Sequence, residues 1–109
     1  MTLRIDFTDR HEHHPATVRA YAVEKAEKLA HFFDGVNHIT IVLDREHGQH
    51  TTEMIVTATP NKRFVGHSAA SSVLAAIDAA AEKLERQVVK AKERLRDHHK
   101  RPHGRDGDA

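Results

Sequence analysis

With 109 residues, 39% of them hydrophobic, the chain has room for one compact domain and a moderate core. It has no cysteine, which excludes disulfides and thiolate chemistry. No apolar run approaches the roughly twenty residues that cross a bilayer, and the N-terminus lacks an apolar signal-peptide core, so the expected address is the cytoplasm. The formal charge of +1 hides an asymmetry. From Lys83 to Arg101 there are eight basic and three acidic residues, a local +5, which leaves -4 for the rest. Such polarity favours a polyanionic partner, nucleic acid before membrane. A solvated helix face laced with ion pairs has the same composition.

Leu3, Ile5 and Phe7 alternate with Arg4, Asp6 and Thr8, which predicts a strand with one buried face. After a polar break at residues 9–14, Pro15 suits the first turn of a helix. That helix carries Val18, Tyr21, Ala22, Ala26, Leu29, Phe32 and Phe33 on its apolar side, and Asp34-Gly35 is its expected end. Lys25 and Lys28 lie about one turn apart on it, Lys25 nearer the apolar boundary.

Ile39, Ile41 and Leu43 mark a second strand, and His47-Gly48-Gln49-His50 a turn. Residues 51–59 form a third strand with Met54, Val56 and Ala58 on one face. Pro60-Asn61 fits the centre of a tight turn, a fourth strand runs over 62–67, and several residues from Ser68 to Ser72 can cap a helix. Local pattern leaves open whether the first two strands are parallel.

The final helix spans residues 71–99 without Gly or Pro. Val73, Leu74, Ile77, Ala81, Leu84, Val88, Ala91 and Leu95 form its apolar stripe. Lys83, Arg86, Lys90 and Arg94 repeat in another phase as an outward cationic row. The expected architecture is α+β, a two-layer β-α-β-β-β-α sandwich: a four-stranded sheet with two helices on one face. Residues 1–99 are the expected domain, and 100–109 a flexible polar tail.

Two segments in this order are specific. Ala75-Ala76-Ile77-Asp78, then Lys83-Leu84, Arg86-Gln87 and Lys90, is similar to the A-A-I-D-x-x-x-x-K-L-x-R-Q-x-x-K signature of the ribosome hibernation promoting factor family, also described as ribosome-associated inhibitors or sigma-54 modulation proteins. Residues 25–34 resemble that family's K-x-x-K-L-x-x-x-F-D, and the likeness covers roughly residues 1–98.

The resemblance implies a domain that binds the small ribosomal subunit and its rRNA near the decoding centre. There it would overlap the paths of mRNA and tRNA and silence ribosomes in stress or stationary phase. It also implies rRNA contacts from Lys25, Lys28, Lys83, Arg86 and Lys90; the helical row adds Arg94. Where the family usually has an acidic residue and an aromatic before A-A-I-D, this chain has Ser72-Val73-Leu74. The chain resembles the short class, without the second, dimerising domain of longer members, and is expected to be monomeric when free.

The eleven His residues invite a metal reading. His11, His13 and His14 cluster in the first loop, and His98, His99 and His103 near the tail, but neither cluster has a recognisable zinc-ligand spacing. Solvated histidines that add positive charge in acid are the expectation. There is no glycine-rich phosphate loop, nucleophile motif or acid–base pair; Asp78 and Glu82 are expected to pair with nearby cations. The expected chain is therefore no enzyme, with no cofactor, metal or small-molecule substrate. Rival readings are a protein-interaction module, including sigma-factor modulation, and a general double-stranded RNA-binding domain.

Overall fold

The computed structural model describes residues 3–10 and 13–100, with side chains up to Leu95. In chain order the elements are β1 (Arg4–Asp9), α1 (Ala16–Phe32), β2 (Val36–Glu46), β3 (Gln49–Ala58), β4 (Lys62–Ala70) and α2 (Val73–Lys100). The strands form one sheet in the order β1-β2-β3-β4. β1 runs parallel to β2, and the other two pairs are antiparallel. The parallel pair follows from α1, which carries the chain back across the sheet between the two strands.

Alternation decides which face is covered. Ile39, Ile41 and Leu43 of β2, Met54, Val56 and Ala58 of β3, and Phe64 of β4 are buried. They meet Val18, Ala22, Ala26 and Leu29 of α1, and Ile77, Ala80, Leu84, Val88 and Ala91 of α2. The opposite face carries Thr40, Val42, Ile55 and Thr57, half-buried by their neighbours in the sheet. There the His38 ring and Asp6 tie β2 to β1 at 2.8 Å.

Asp9 fixes the entry into α1. Its Oδ2 accepts hydrogen bonds from the His14 backbone N–H (2.9 Å) and pairs with His14 Nδ1 (2.7 Å). One of the first-loop histidines is thus a structural pin rather than a solvated side chain. His11 of that cluster and His103 in the tail 101–109 lie outside the described residues, as do the side chains of His98 and His99.

Several boundaries differ from expectation. α1 stops at Phe32, because Phe33 adopts an extended conformation and turns its ring inward against Phe64, 5.5 Å between centroids. Gly35, at φ 89°, lies beyond that break rather than capping the helix. The second turn is only His47-Gly48, both at positive φ, so β2 and β3 extend to a two-residue hairpin. Ser72 is the cap of α2: its hydroxyl accepts from the Ala75 N–H at 3.2 Å.

Two members of the expected α2 stripe are exposed, Leu74 at 44% and Leu95 at 46%. Leu74 is off the line through Ile77, Leu84 and Val88 in helical phase. Leu95 lies past Ala91, the last buried position described. Ala76 and Ala80 are fully buried instead.

α2 sits unusually close to β4 at Gly66. A Cβ there would lie 2.5 Å from the Ala80 carbonyl oxygen and 2.9 Å from Leu84 Cγ. The first contact is with backbone, which cannot rotate away. Gly66→Ala should therefore lower stability by about 1–3 kcal/mol, as overpacking does. Thermal unfolding checks this; an unchanged midpoint would show that the helix can lift without penalty.

Candidate RNA-binding surface

The roll of α2 about its axis is set by hydrogen bonds on one side. Lys83 Nζ donates to the His67 carbonyl and Gln87 Nε2 to the Val65 carbonyl, both at 2.7 Å. β4 is an outermost strand, and these two carbonyls are two residues apart on it. The side chains satisfy acceptors that would otherwise invite another strand.

On the other side α2 meets α1. The Tyr21 hydroxyl donates to Asp78 Oδ1 at 2.6 Å, and Lys25 Nζ lies 3.4 Å from the same oxygen. The ammonium also stands 5.3 Å from the centroid of the Tyr21 ring. Asp78 therefore closes a three-residue link between the helices.

These anchors sort the charges of α2. At 3.6 residues per turn, Lys83, Arg86, Lys90 and Arg94 fall in an arc of about 80°. Asp78, Glu82, Glu85 and Glu93 fall in another of similar width, centred about 105° away. The Lys83 contact turns the basic arc toward β4, and the Asp78 contact turns the acidic arc toward α1. Between the helices lies a groove of about 520 Å³, with Lys25 and Lys28 on one wall, Asp78, Glu82 and Glu85 on the other, and Leu29 and Phe32 among its lining.

The six sequence-predicted cations are thus divided. Lys83, Arg86, Lys90 and Arg94 stand together along one flank, exposed. Lys28 is exposed across the acidic ridge, on α1. Lys25 is half-buried, its charge already balanced in part by Asp78. Lys83 spends one N–H on β4, but an ammonium has three donors.

Three side chains escaped sequence reading. Gln87 looked like an ordinary helix former, and its role depends on a strand 22 positions away. Tyr21 falls on the apolar face by helical phase, yet its hydroxyl finds a partner 57 positions on. Phe32, expected in the core, is 40% exposed with the Lys92 ammonium 4.7 Å from its ring centroid. No local signal distinguishes these cases from a plain amphipathic helix. Among the described residues no group of three or more His, Cys, Asp or Glu is placed to hold a metal ion, and no helix is long and apolar enough to cross a membrane.

A family model described as "Sigma 54 modulation protein / S30EA ribosomal protein" matches residues 5–96. The chain belongs to this family. Among its relatives, the ribosome hibernation promoting factor of Escherichia coli K12 is 30% identical over 97 residues, covering 88% of this chain and all of that protein. The Pseudomonas putida protein of the same name is 27% identical over 92 residues, 84% of this chain and 89% of its own length. The fold is similar to that of a ribosomal subunit interface protein from Coxiella burnetii, with a TM-score of 0.73 at 16% identity, covering 84% of this chain and 99% of that one. It also resembles the N-terminal domain of Thermus thermophilus Protein Y, at TM-score 0.66 and 26% identity, with 81% and 96% covered. The matched span takes in β1 from its second residue, β2 to β4, α1 and most of α2, so the family match covers the helical layer as well as the sheet.

The Tyr21–Asp78 bond has a direct optical test. Donation to Asp78, with partial burial and the carboxylate's charge behind it, raises the Tyr21 hydroxyl above its ordinary 10.0. Because the fold favours the protonated phenol, this link stabilises the protein below pH 10 and is lost as pH rises through the raised value. Tyr21 is the chain's one tyrosine, so phenolate absorbance reads it alone. Its titration midpoint should lie above 10.0 and fall back in Asp78→Asn. Equal midpoints in the two proteins would dissolve the link.

Proposed function

We propose that the chain is a ribosome hibernation factor that acts by occupancy. Its helical layer docks on the small ribosomal subunit near the decoding centre, contacts rRNA, and keeps mRNA and tRNA from their paths. Translation stops on ribosomes held idle in stress or stationary phase in the cytoplasm. The names of its relatives support the ribosomal setting.

The observation that carries the reading is the exposed basic flank of α2, built from Lys83, Arg86, Lys90 and Arg94 and turned away from the acidic groove. Lys28 supplies a second point of contact on α1. Lys25 positions the two helices through Asp78 and touches RNA only with what its ion pair leaves over.

Lysine and arginine on rRNA phosphates release condensed counterions, so affinity falls steeply as salt rises. A few such contacts alone give roughly micromolar or weaker non-specific binding at physiological salt. Tighter binding comes from the shape of the ribosomal channel, in keeping with RNA recognition through backbone and form. Aromatic stacking contributes little: Phe33 and Phe64 are buried, Tyr21 is bonded to Asp78, and Phe32 lies under Lys92.

Arg86→Glu with Lys90→Glu reverses two exposed charges and leaves the core untouched. This variant should melt like the parent protein, fail to co-sediment with small subunits at moderate salt, and no longer inhibit a translation extract. Unchanged co-sedimentation would contradict the proposal.

A further inference from the structure

The cationic flank of α2 has a neighbour on the sheet that the helical pattern does not reveal. The bonds Lys83–His67 and Gln87–Val65 align α2 antiparallel to β4, with four helix residues against two strand residues. The rises agree, about 6 Å along the helix and about 6.6 Å along the strand. One further step of the same register brings Arg63 level with Ala91, between Lys90 and Arg94, and Lys62 just beyond.

A second set of contacts points the same way. Phe33, at the end of α1, packs edge-on against Phe64 of β4, and Lys92 of α2 stands over Phe32. The start of β4, the end of α1 and the last buried turns of α2 therefore meet at one end of the domain.

Lys62 and Arg63 are both exposed. Their partners across the sheet, Ala58 and Thr57, are neutral, and the sequence has no acidic residue from Pro60 to Ile77. Neither is held in an ion pair among the described residues. Strand alternation puts Lys62 on the helix side of the sheet and Arg63 on the other, so the two straddle the β4 edge. On the far side of α2 the interhelical groove is mixed in charge: Asp78, Glu82 and Glu85 on one wall face Lys25 and Lys28 on the other, so it offers a polyanion no uninterrupted cationic path.

We propose that the RNA-facing band continues from α2 around the β4 edge onto Lys62 and Arg63. A phosphodiester backbone then crosses from Arg86, Lys90 and Arg94 to the β3–β4 turn, instead of following the groove between the helices. The proposal rests on the ribosomal RNA reading above and names where on this domain the strand passes.

The test compares Lys62→Ala/Arg63→Ala with Arg86→Ala/Lys90→Ala in binding to isolated small subunits across a salt series. Each exposed pair should leave the melting midpoint unchanged. Each should make the slope of log affinity against log salt shallower by about 1 to 2, as expected for two lost phosphate contacts. A photo-crosslinker at position 63 should attach to rRNA. If the Arg86/Lys90 pair flattens the slope and the Lys62/Arg63 pair does not, the β4 extension is wrong while the function stands. If neither pair changes it, both readings fall. Lost affinity with an unchanged slope, or a crosslink from position 63 to a ribosomal protein, would likewise overturn the extension. Lys62→Gln/Arg63→Gln, which keeps longer side chains in place, should repeat the result; a wild-type slope in that pair would assign the alanine effect to lost packing and overturn the proposal.

Discussion

The seat of α2 on β4 is the constraint from which the surface follows. Gly66 lets the helix backbone approach the strand at Ala80, and Lys83 and Gln87 bond the strand's carbonyls from the same side. Together these contacts fix the height of the helix and its rotation. A rotation by one residue position, about 100°, would carry the acidic arc nearly to where the basic one stands. The near-neutral formal charge thus becomes a cationic flank beside β4 and a mainly anionic one beside α1, where Lys92 is the exception, standing over Phe32.

The anionic flank has its own structural task. Asp78 draws Tyr21 and Lys25 of α1 onto α2, so the helices are joined by polar bonds above a core they share with the sheet. That use of Lys25 explains why a cation expected at the RNA surface is half-buried. Burial opposes its ammonium, but the negative charge that Tyr21 and Asp78 can offer outweighs this, and its pKa lies above the ordinary 10.5. Lys25 therefore stays charged at neutral pH and holds the helix pair together.

Much of this was legible in the sequence because it depends on local period. Alternation at Ile39, Ile41 and Leu43 and at Met54, Val56 and Ala58 gave both strands and their buried face, and the step of three and four along α2 gave its cation row. What escaped depends on contacts between distant segments. The parallel pairing of β1 and β2, the bond from Tyr21 to Asp78 and the clasp of Gln87 on Val65 have no period to betray them. Leu95 fits the stripe by phase but lies past the last described residue that the core covers. His14 looked like one more loop histidine, and only its place beside Asp9 makes it a pin. The signature around Asp78 and Gln87 did carry these residues, but as a family likeness without a stated physical role.

The proposed function sets the α2–β4 side against RNA, with Lys28 of α1 as a second contact, and leaves most of the open sheet face uncovered. A cryo-electron microscopy reconstruction of the small subunit with the protein bound measures this most directly. The account predicts rRNA phosphates along Arg86, Lys90 and Arg94, with the acidic wall at Glu82 and Glu85 turned from the RNA backbone. A bound domain whose α2 flank faced solvent, with RNA lying on the open face around Thr40 and Ile55, would contradict it.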